Sequence, residues 1–328
     1  TSERIAHFAL LEHPQPRKVL LIGGGVSGIL NEILKYPVQK VDYLELDPLT
    51  VVLARQYLDF STEYALDDAR VEVKNIDGRL FVKQATTRYD LIIGHLPEPF
   101  TAQINRFYTV EFFKAAERML EEKGILFFGI TSSPNYISKE QRNLLVSLNE
   151  SLKSVFAEVR VIPGDTNYFL GCKSKGILTL DYRKLMERLN QRGVKTKYVR
   201  EYYLASELTE ERIGYLESKL TPLPKVRLNY DFRPISYYYD MVLWSTQFKQ
   251  GLARIFKRIS PKIIYCAAFL IYFAILLPFW WRKSKYEIRP VAVLTAVTTT
   301  GFAEISFQVL TLLSFQIIYG YVYYKLSM

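Results

Sequence analysis

A glycine-rich turn between two short apolar runs is the part of this chain best suited to bind a ligand. Gly23, Gly25 and Gly28 form the turn, and the second run, 40–46, has Glu45 near its end. Glycines let a ligand approach the backbone closely, and the start of the following helix offers free N–H groups. A carboxylate at the end of the second run can accept hydrogen bonds from both hydroxyls of a ribose. The spacing therefore predicts a ligand that contains a nucleoside.

Two more groups of polar residues follow later apolar runs of the same kind. Asp77 and Gly78 come after the third run, where an acid can accept a hydrogen bond from an adenine amine or cap the next helix, and the two roles are compatible. His95 and Glu98 come after the fourth run, beside prolines that stiffen the loop. Ligands usually lie at the carboxyl ends of parallel strands. We therefore expect Glu45 and Asp77 to converge on one adenosine, with His95 and Glu98 nearby as the residues that do chemistry.

These residues are positioned by strands that alternate with helices along residues 1–180. Seven strands are predicted, at 19–22, 40–46, 68–74, 89–94, 124–130, 158–162 and 167–173. The last two form an antiparallel pair around the turn Pro163-Gly164-Asp165. This order predicts an α/β fold, a Rossmann-like seven-stranded sheet of the class I methyltransferase type, followed by a helical extension and transmembrane helices.

The rest of the chain divides into a helical extension at 181–247 and a membrane segment at 248–328. The extension ends in a tyrosine-rich stretch, 229–244, which is interpreted as a lid or as an aromatic anchor at a membrane interface. Residues 262–281 are almost wholly apolar and long enough for one membrane span. A second span is predicted from residue 302 to residue 324, after a break in the apolar stretch at Gly301.

The composition limits the class of partner. The 328 residues are 49% hydrophobic and 14% aromatic and carry a net charge of +10. Much of the excess positive charge lies at 249–262 and 282–289, beside apolar stretches, which favours membrane flanks over a nucleic-acid surface. The only cysteines, Cys172 and Cys266, lie in different predicted regions, which argues against a disulfide framework and against a cysteine-based metal site.

Several sequence blocks, taken in order, carry a resemblance to a known family. They are ALLEHPQPRKVLLIGGG, LNEILKYP, VDYLELDP, DARVEV, DGRLFVK, YDLIIGHLPEP, TAQINRFYTVEFF and ILFFGITSS. Over residues 6–173 the chain resembles the polyamine aminopropyltransferase (spermidine synthase) family. Its later blocks resemble the bacterial branch of the family that fuses this domain to membrane helices.

The resemblance implies decarboxylated S-adenosylmethionine, or S-adenosylmethionine itself, as co-substrate, with no metal. The ligand-binding residues that it implies are Gly23, Gly25, Gly28, Glu45, Asp77 and Gly78. The expected partners are a small-molecule amine and membrane lipid, without nucleic acid, and a second copy of the chain or another membrane protein is left open. We expect the inner (cytoplasmic) membrane as location, with the globular domain in the cytoplasm, where sulfonium nucleosides are made. Since the chain begins at Thr1, we expect a fragment or processed form that lacks the family's N-terminal β-hairpin.

Two departures from the family pattern bear on catalysis. The family's glycine turn usually carries an Asp that holds the amine of the substrate, and here Val26 stands in its place. The family's D-x-x-D-P after the fourth strand, whose first Asp is the general base, reads His95-Leu96-Pro97-Glu98-Pro99 here. His95 can accept a proton, since its ordinary pKa is about 6.5, and Glu98 is the remaining acid. The loss of two anionic contacts predicts weakened binding of polyamines.

Three alternatives to aminopropyl transfer follow from the same residues. The uncharged Val26 and the aromatic residues at 237–239 fit a methyltransferase that acts on a membrane-borne acceptor. The missing acids fit a catalytically inactive domain that binds a nucleoside and serves as a sensor or scaffold. The spacing of Gly23, Gly25 and Gly28 also fits a nicotinamide-dependent dehydrogenase, although that motif alone is common.

Overall fold

The computed structural model describes residues 2–58, 60–222, 224 and 227–248, isolated positions between 263 and 273, and residues 288–319. The strands are β1 Lys18–Ile22, β2 Lys40–Leu44, β3 Val71–Lys74, β4 Tyr89–Gly94, β5 Leu120–Thr131, β6 Glu158–Ile162 and β7 Thr166–Cys172. The helices of the first part are α1 Ser2–Glu12, α2 Ile29–Ile33, α3 Pro48–Tyr57, α4 Phe60–Asp67, α5 Gly78–Gln84, α6 Ala102–Asn105, α7 Val110–Met119 and α8 Lys139–Lys153. Those that follow are α9 Tyr182–Gln191, α10 Glu201–Glu207, α11 Glu210–Leu220, α12 Ile235–Phe248 and α13 Ile288–Tyr319.

The seven strands form one sheet in the order β3-β2-β1-β4-β5-β7-β6. All neighbours are parallel except β7, which is antiparallel to both β5 and β6. This topology confirms the predicted Rossmann-like sheet of the methyltransferase type. The strand order reverses between β1 and β4, and the carboxyl edge beside such a reversal is where open α/β sheets bind ligands.

The register brings the ends of three strands level at this edge. Ile22, the last residue of β1, pairs with Leu44 at the end of β2 and with Gly94 at the end of β4. The residues that follow these three positions are Gly23, Glu45 and His95. The pairing alone therefore places three of the predicted site residues side by side.

Side chains on the two faces of the sheet enter two different cores, because successive residues of a strand point to opposite faces. On β1, Val19 and Leu21 join the core that contains α1 and α2, whereas Leu20 and Ile22 join the core that contains α7 and α8. All four side chains are 3% exposed or less, as expected for a strand that is covered on both faces.

The helical extension packs on both faces of the sheet. Arg188 of α9 and Arg192, which directly follows this helix, donate to the last carbonyl groups of α1, including those of Leu10 and Leu11, which otherwise lack helical partners. Leu216 of α11 belongs to the core on the opposite face. The extension therefore passes from one face of the sheet to the other. The structure divides into two compact units at Asp240, and the predicted domain boundaries at 180 and 247 stay a prediction.

Two sequence-based helix predictions need correction. The amphipathic pattern of residues 105–120 predicts one helix, but the structure divides it, because Thr109 adopts an extended conformation and its hydroxyl caps the N-terminus of α7 through the Phe112 amide at 3.3 Å. The predicted break at Gly301 is wrong, because α13 continues through that residue. A single glycine costs only about 1 kcal/mol relative to alanine, which a 32-residue helix can absorb.

Among the described residues, one stretch, Thr295–Phe315, is long and apolar enough to cross a membrane. Length and composition are weak evidence of this, so membrane insertion stays a prediction. The other predicted span, 262–281, lies almost entirely outside the described residues.

Candidate functional site

The glycine turn after β1 packs against the loop after β4. Gly23 and Gly24 have φ angles of 74° and 70°, a region that favours glycine. Neither position has room for a side chain, since a Cβ on Gly23 would lie 2.8 Å from the carbonyl oxygen of His95 and one on Gly24 would lie 2.1 Å from its Cδ2. The imidazole of His95 therefore lies directly on the turn that the sequence predicts to hold a nucleoside.

Tyr43 fills the space beneath the same turn. A Cβ on Gly25 would lie 2.5 Å from the Tyr43 ring, so the turn and the ring fit together only because residue 25 is glycine. The Tyr43 hydroxyl donates to Oε2 of Glu45 at 2.7 Å, and the amide of Asp47 donates to Oε1 at 3.4 Å. Burial, followed by the bond to Glu45, raises the pKa of Tyr43, which keeps the phenol protonated as a donor. The structure thus places Glu45 at the predicted strand end and adds a partner that sequence reasoning missed.

Asp77 has two partners within the protein. Its carboxylate accepts the Leu80 amide at 3.0 Å and so caps α5, as the helix-cap interpretation requires. Arg106 donates to both of its oxygens, to Oδ1 at 3.1 Å and also to Oδ2. Asp77 is 6% exposed, so this pair is buried. A nucleoside that hydrogen-bonds to Asp77 would share the carboxylate with Arg106. No pattern in the sequence predicted that Arg106 contacts Asp77.

The loop that contains Arg106 is tied to the segment that precedes α12. Arg79 donates to the carbonyl oxygen of Arg106 and also pairs with Asp231. Asn229 is fully buried, and its amide nitrogen donates to the Asn105 side chain at 3.0 Å and to the Tyr108 carbonyl at 2.8 Å. The start of the tyrosine-rich stretch therefore docks onto the globular unit at the edge of the candidate site.

A pocket of about 180 Å³ opens beside His95 at the carboxyl ends of β4 and β5. Its walls are formed by Ile5, Gly94, His95, Leu96, Pro97, Glu98, Phe127, Gly129, Thr131, Thr166 and Tyr168. Oε1 of Glu98 accepts the Thr131 amide at 2.8 Å, which fixes the carboxylate in the wall. Glu98 is the only carboxylate among these wall residues.

The surroundings of the pocket keep the His95 imidazole neutral. His95 is an exposed residue, but its ring rests on the glycine turn, and this partial burial lowers its pKa below the ordinary 6.5. Its imidazole is therefore neutral at pH 7 and can accept a proton. Burial, with the charge of Glu98 as a second cause, raises the pKa of Asp240 to about 6. Asp240 adds a second acidic group near Glu98 that the sequence analysis left without a role.

Among the residues that the structure describes, one cluster has the residue types of a metal site. Glu3, His7 and Glu32 have ligand atoms within 4.8 Å of one another. Their atoms already have protein partners, because Glu3 accepts the Lys197 and Tyr198 amides and Nε2 of His7 lies 3.0 Å from Glu32. We assign these residues to the attachment of α1 to α2 and to the loop before α10.

The sheet order, the glycine turn and the acid after β2 together define a Rossmann-like fold of the methyltransferase type. The sequence profile of the spermine/spermidine synthase domain matches residues 1–177, more than half of the chain. The chain belongs to the spermine/spermidine synthase family.

Individual relatives agree with this assignment. The chain is 36% identical over 191 residues to the polyamine aminopropyltransferase of Moorella thermoacetica, covering 56% of this chain and 65% of that protein. It is 36% identical over 160 residues to the polyamine aminopropyltransferase of Bacillus mycoides, covering 48% and 56%. The chain thus spans between about half and two thirds of the length of these relatives.

Solved structures show the same fold. Spermidine synthase from Thermotoga maritima superposes with a TM-score of 0.52 and 25% identity, covering 67% of this chain and 73% of that one. A spermidine synthase in complex with the transition-state analogue AdoDATO superposes with a TM-score of 0.54 and 26% identity, covering 67% and 74%.

Proposed function

We propose that this chain is a transferase that moves an aminopropyl group from decarboxylated S-adenosylmethionine to an amine and releases 5′-methylthioadenosine. The observation that carries the proposal is the position of the His95 imidazole, which lies against Gly24 and lines the same pocket as Glu98. This position supports His95 as the base. Membership of the spermine/spermidine synthase family supports the reaction class. Relatives named polyamine aminopropyltransferases support it as well.

In this proposal the nucleoside half of the donor lies over β1, β2 and β3. Gly23, Gly25 and Gly28 border it, and Glu45 accepts the ribose hydroxyls. Asp77 and Gly78 lie at the adenine, where the Asp77 carboxylate is shared with Arg106. A related spermidine synthase solved in complex with the transition-state analogue AdoDATO supports decarboxylated S-adenosylmethionine as the co-substrate.

The acceptor occupies the pocket beside His95. Glu98 binds an ammonium group through its carboxylate, and His95 accepts the proton that the attacking amine loses. The nitrogen lone pair then attacks the carbon next to the sulfonium. A C–N bond forms, the C–S bond breaks, and the bonding pair leaves with the sulfur of methylthioadenosine.

The wall of the pocket also bears on which amine is used. Glu98 is its only carboxylate, and Val26 offers no charge at the glycine turn. A second ammonium group would lose water without gaining an ionic partner in the wall, which costs free energy. We therefore expect an acceptor with one ammonium group to be used at least as well as a diamine.

Attachment to the inner membrane through residues 248–328, with the catalytic unit in the cytoplasm, is part of the same proposal. The apolar stretch Thr295–Phe315 supports it by length and composition. A spanning helix would keep the enzyme beside membrane-borne or newly transported amines.

Titration calorimetry with decarboxylated S-adenosylmethionine and with S-adenosylmethionine tests the donor. The proposal predicts tighter binding of the decarboxylated form and competition by 5′-methylthioadenosine. Preference for the carboxylated form would instead support a methyltransferase, the second candidate. That candidate is favoured by Val26, whose side chain packs against the core and leaves the turn without an anion for an aminopropyl ammonium.

A third candidate is a catalytically inactive nucleoside-binding scaffold. It is favoured because Arg106 donates hydrogen bonds to both carboxylate oxygens of Asp77, so this acid has a partner within the protein. Binding of a nucleoside without turnover, with every amine tested, would support it over the other two.

A further inference from the structure

Tyr43 is a fully buried phenol whose hydroxyl reaches the carboxylate assigned to the ribose. Its ring is 0% exposed and lies under Gly25. Its hydroxyl donates to Oε2 of Glu45 at 2.7 Å, while the Asp47 amide donates to Oε1 at 3.4 Å. Glu45 itself is only half-buried, so part of the residue stays accessible at the edge of the sheet.

The acceptor capacity of Glu45 can be counted. An ionised carboxylate has about four acceptor positions, two on each oxygen. Tyr43 uses one position on Oε2 and Asp47 uses one on Oε1. One position therefore remains on each oxygen, which matches the two neighbouring hydroxyl donors of a ribose.

We infer that Tyr43 is a positioning residue that holds the Glu45 carboxylate in the orientation that binds both ribose hydroxyls. The inference rests on the proposed function, in which Glu45 binds the ribose of the donor. The inference adds that the preference for a ribonucleoside over its 2′,3′-dideoxy analogue depends on Tyr43. Tyr43 acts by orienting Glu45 and does not itself contact the ligand. Without the phenol, Glu45 would have to be ordered by the ligand itself, at a cost in conformational entropy.

The opposite role, in which Tyr43 competes with the ribose for Oε2, predicts a different result. Removal of a competitor would strengthen binding, whereas removal of a positioning residue weakens it. The substitution Tyr43→Phe separates the two roles, because it deletes the hydroxyl and keeps the ring that supports Gly25.

The test is titration calorimetry of the full chain with 5′-methylthioadenosine and with its 2′,3′-dideoxy analogue. We expect Tyr43→Phe to weaken binding of methylthioadenosine about tenfold, the size of one lost hydrogen bond to a charged group, and to leave binding of the dideoxy analogue unchanged. In a Glu45→Gln background the same substitution should have little further effect. Tyr89→Phe is the matched control, because Tyr89 is 1% exposed and its hydroxyl also donates to a carboxylate, that of Asp42 at 2.6 Å, but its ring lies in the core on the opposite face of the sheet from Tyr43.

The outcomes are distinct. Stronger binding to Tyr43→Phe, unchanged binding of methylthioadenosine, or equal losses for both ligands would overturn the inference while the proposed function stands. If the unmodified chain binds neither ligand, the proposed function fails and the inference fails with it.

Discussion

Arg106 donates hydrogen bonds to both carboxylate oxygens of Asp77, and the two side chains are only 3% and 6% exposed. Both charges are removed from water, so each depends on the other for compensation. The pair joins the loop before α7 to the N-terminus of α5. It thereby fixes the position of the acid that the resemblance assigns to adenine.

Asp77→Asn should therefore destabilise the globular unit. Asn can still cap α5, but it leaves the Arg106 charge buried without a counter-charge, which we expect to cost about 3 kcal/mol in the free energy of unfolding. Urea denaturation measures the loss. The double variant Asp77→Asn/Arg106→Gln removes both charges and should recover most of it. A loss below about 1 kcal/mol for the single variant would show that the buried pair is not formed.

His95→Ala should lower kcat for amine consumption while leaving the donor bound. General-base catalysis by a positioned side chain typically contributes about 100-fold or more, so we expect a loss of that order. His95→Asp restores the acid of the family pattern and should retain turnover. Methylthioadenosine release measures kcat, and calorimetry measures donor affinity. Wild-type turnover in His95→Ala would remove His95 from the mechanism.

Glu98→Gln should raise KM for the acceptor amine more than it lowers kcat. The substitution removes one ionic contact with the ammonium group, which corresponds to about ten- to a hundredfold in affinity.

Because Glu98 is the only carboxylate in the pocket wall, butylamine should have a KM no higher than 1,4-diaminobutane in the unmodified chain. A clear preference for the diamine would point to a second anionic contact, with Asp240 as the candidate, and would contradict the expected acceptor class.

Glu12 should make stability depend on pH. Burial raises the pKa of this carboxyl from its ordinary 4.5 to about 8, and its Oε2 accepts the Thr179 amide at 2.7 Å. Between these values the folded chain keeps the proton and the unfolded chain releases it, so this contribution is complete below pH 4.5 and is lost as pH rises toward 8. The slope can reach about 1.4 kcal/mol per pH unit. Glu12→Gln, a neutral isostere, should flatten the profile measured by urea denaturation between pH 5 and pH 8. An unchanged slope would show that Glu12 is ionised in the folded state.

The strands and their order were predictable because they rest on local patterns. The runs at β1 and β4 are continuous and apolar, as buried parallel strands require, and the register then aligns Gly23, Glu45 and His95 without further information. The cap of α8 was also predictable, since Ser138 lies just before a helical pattern.

The partners of the site residues were not predictable. Tyr43 and Glu45 are two positions apart, which puts them on one face of an extended strand, but the pattern does not show that the hydroxyl reaches the carboxylate. Arg106 and Asp77 are 29 positions apart, and their pairing depends on how two loops meet in three dimensions. Such long-range side-chain contacts leave no periodic signal in the sequence.

Product analysis by mass spectrometry tests the central claim most directly. The full chain is incubated with decarboxylated S-adenosylmethionine and a panel of amines, with His95→Ala in parallel. The account predicts 5′-methylthioadenosine and an aminopropylated amine in equal amounts, with both products strongly reduced in the variant. The absence of an aminopropylated product with every amine, or S-adenosylhomocysteine formed from S-adenosylmethionine instead, would contradict it.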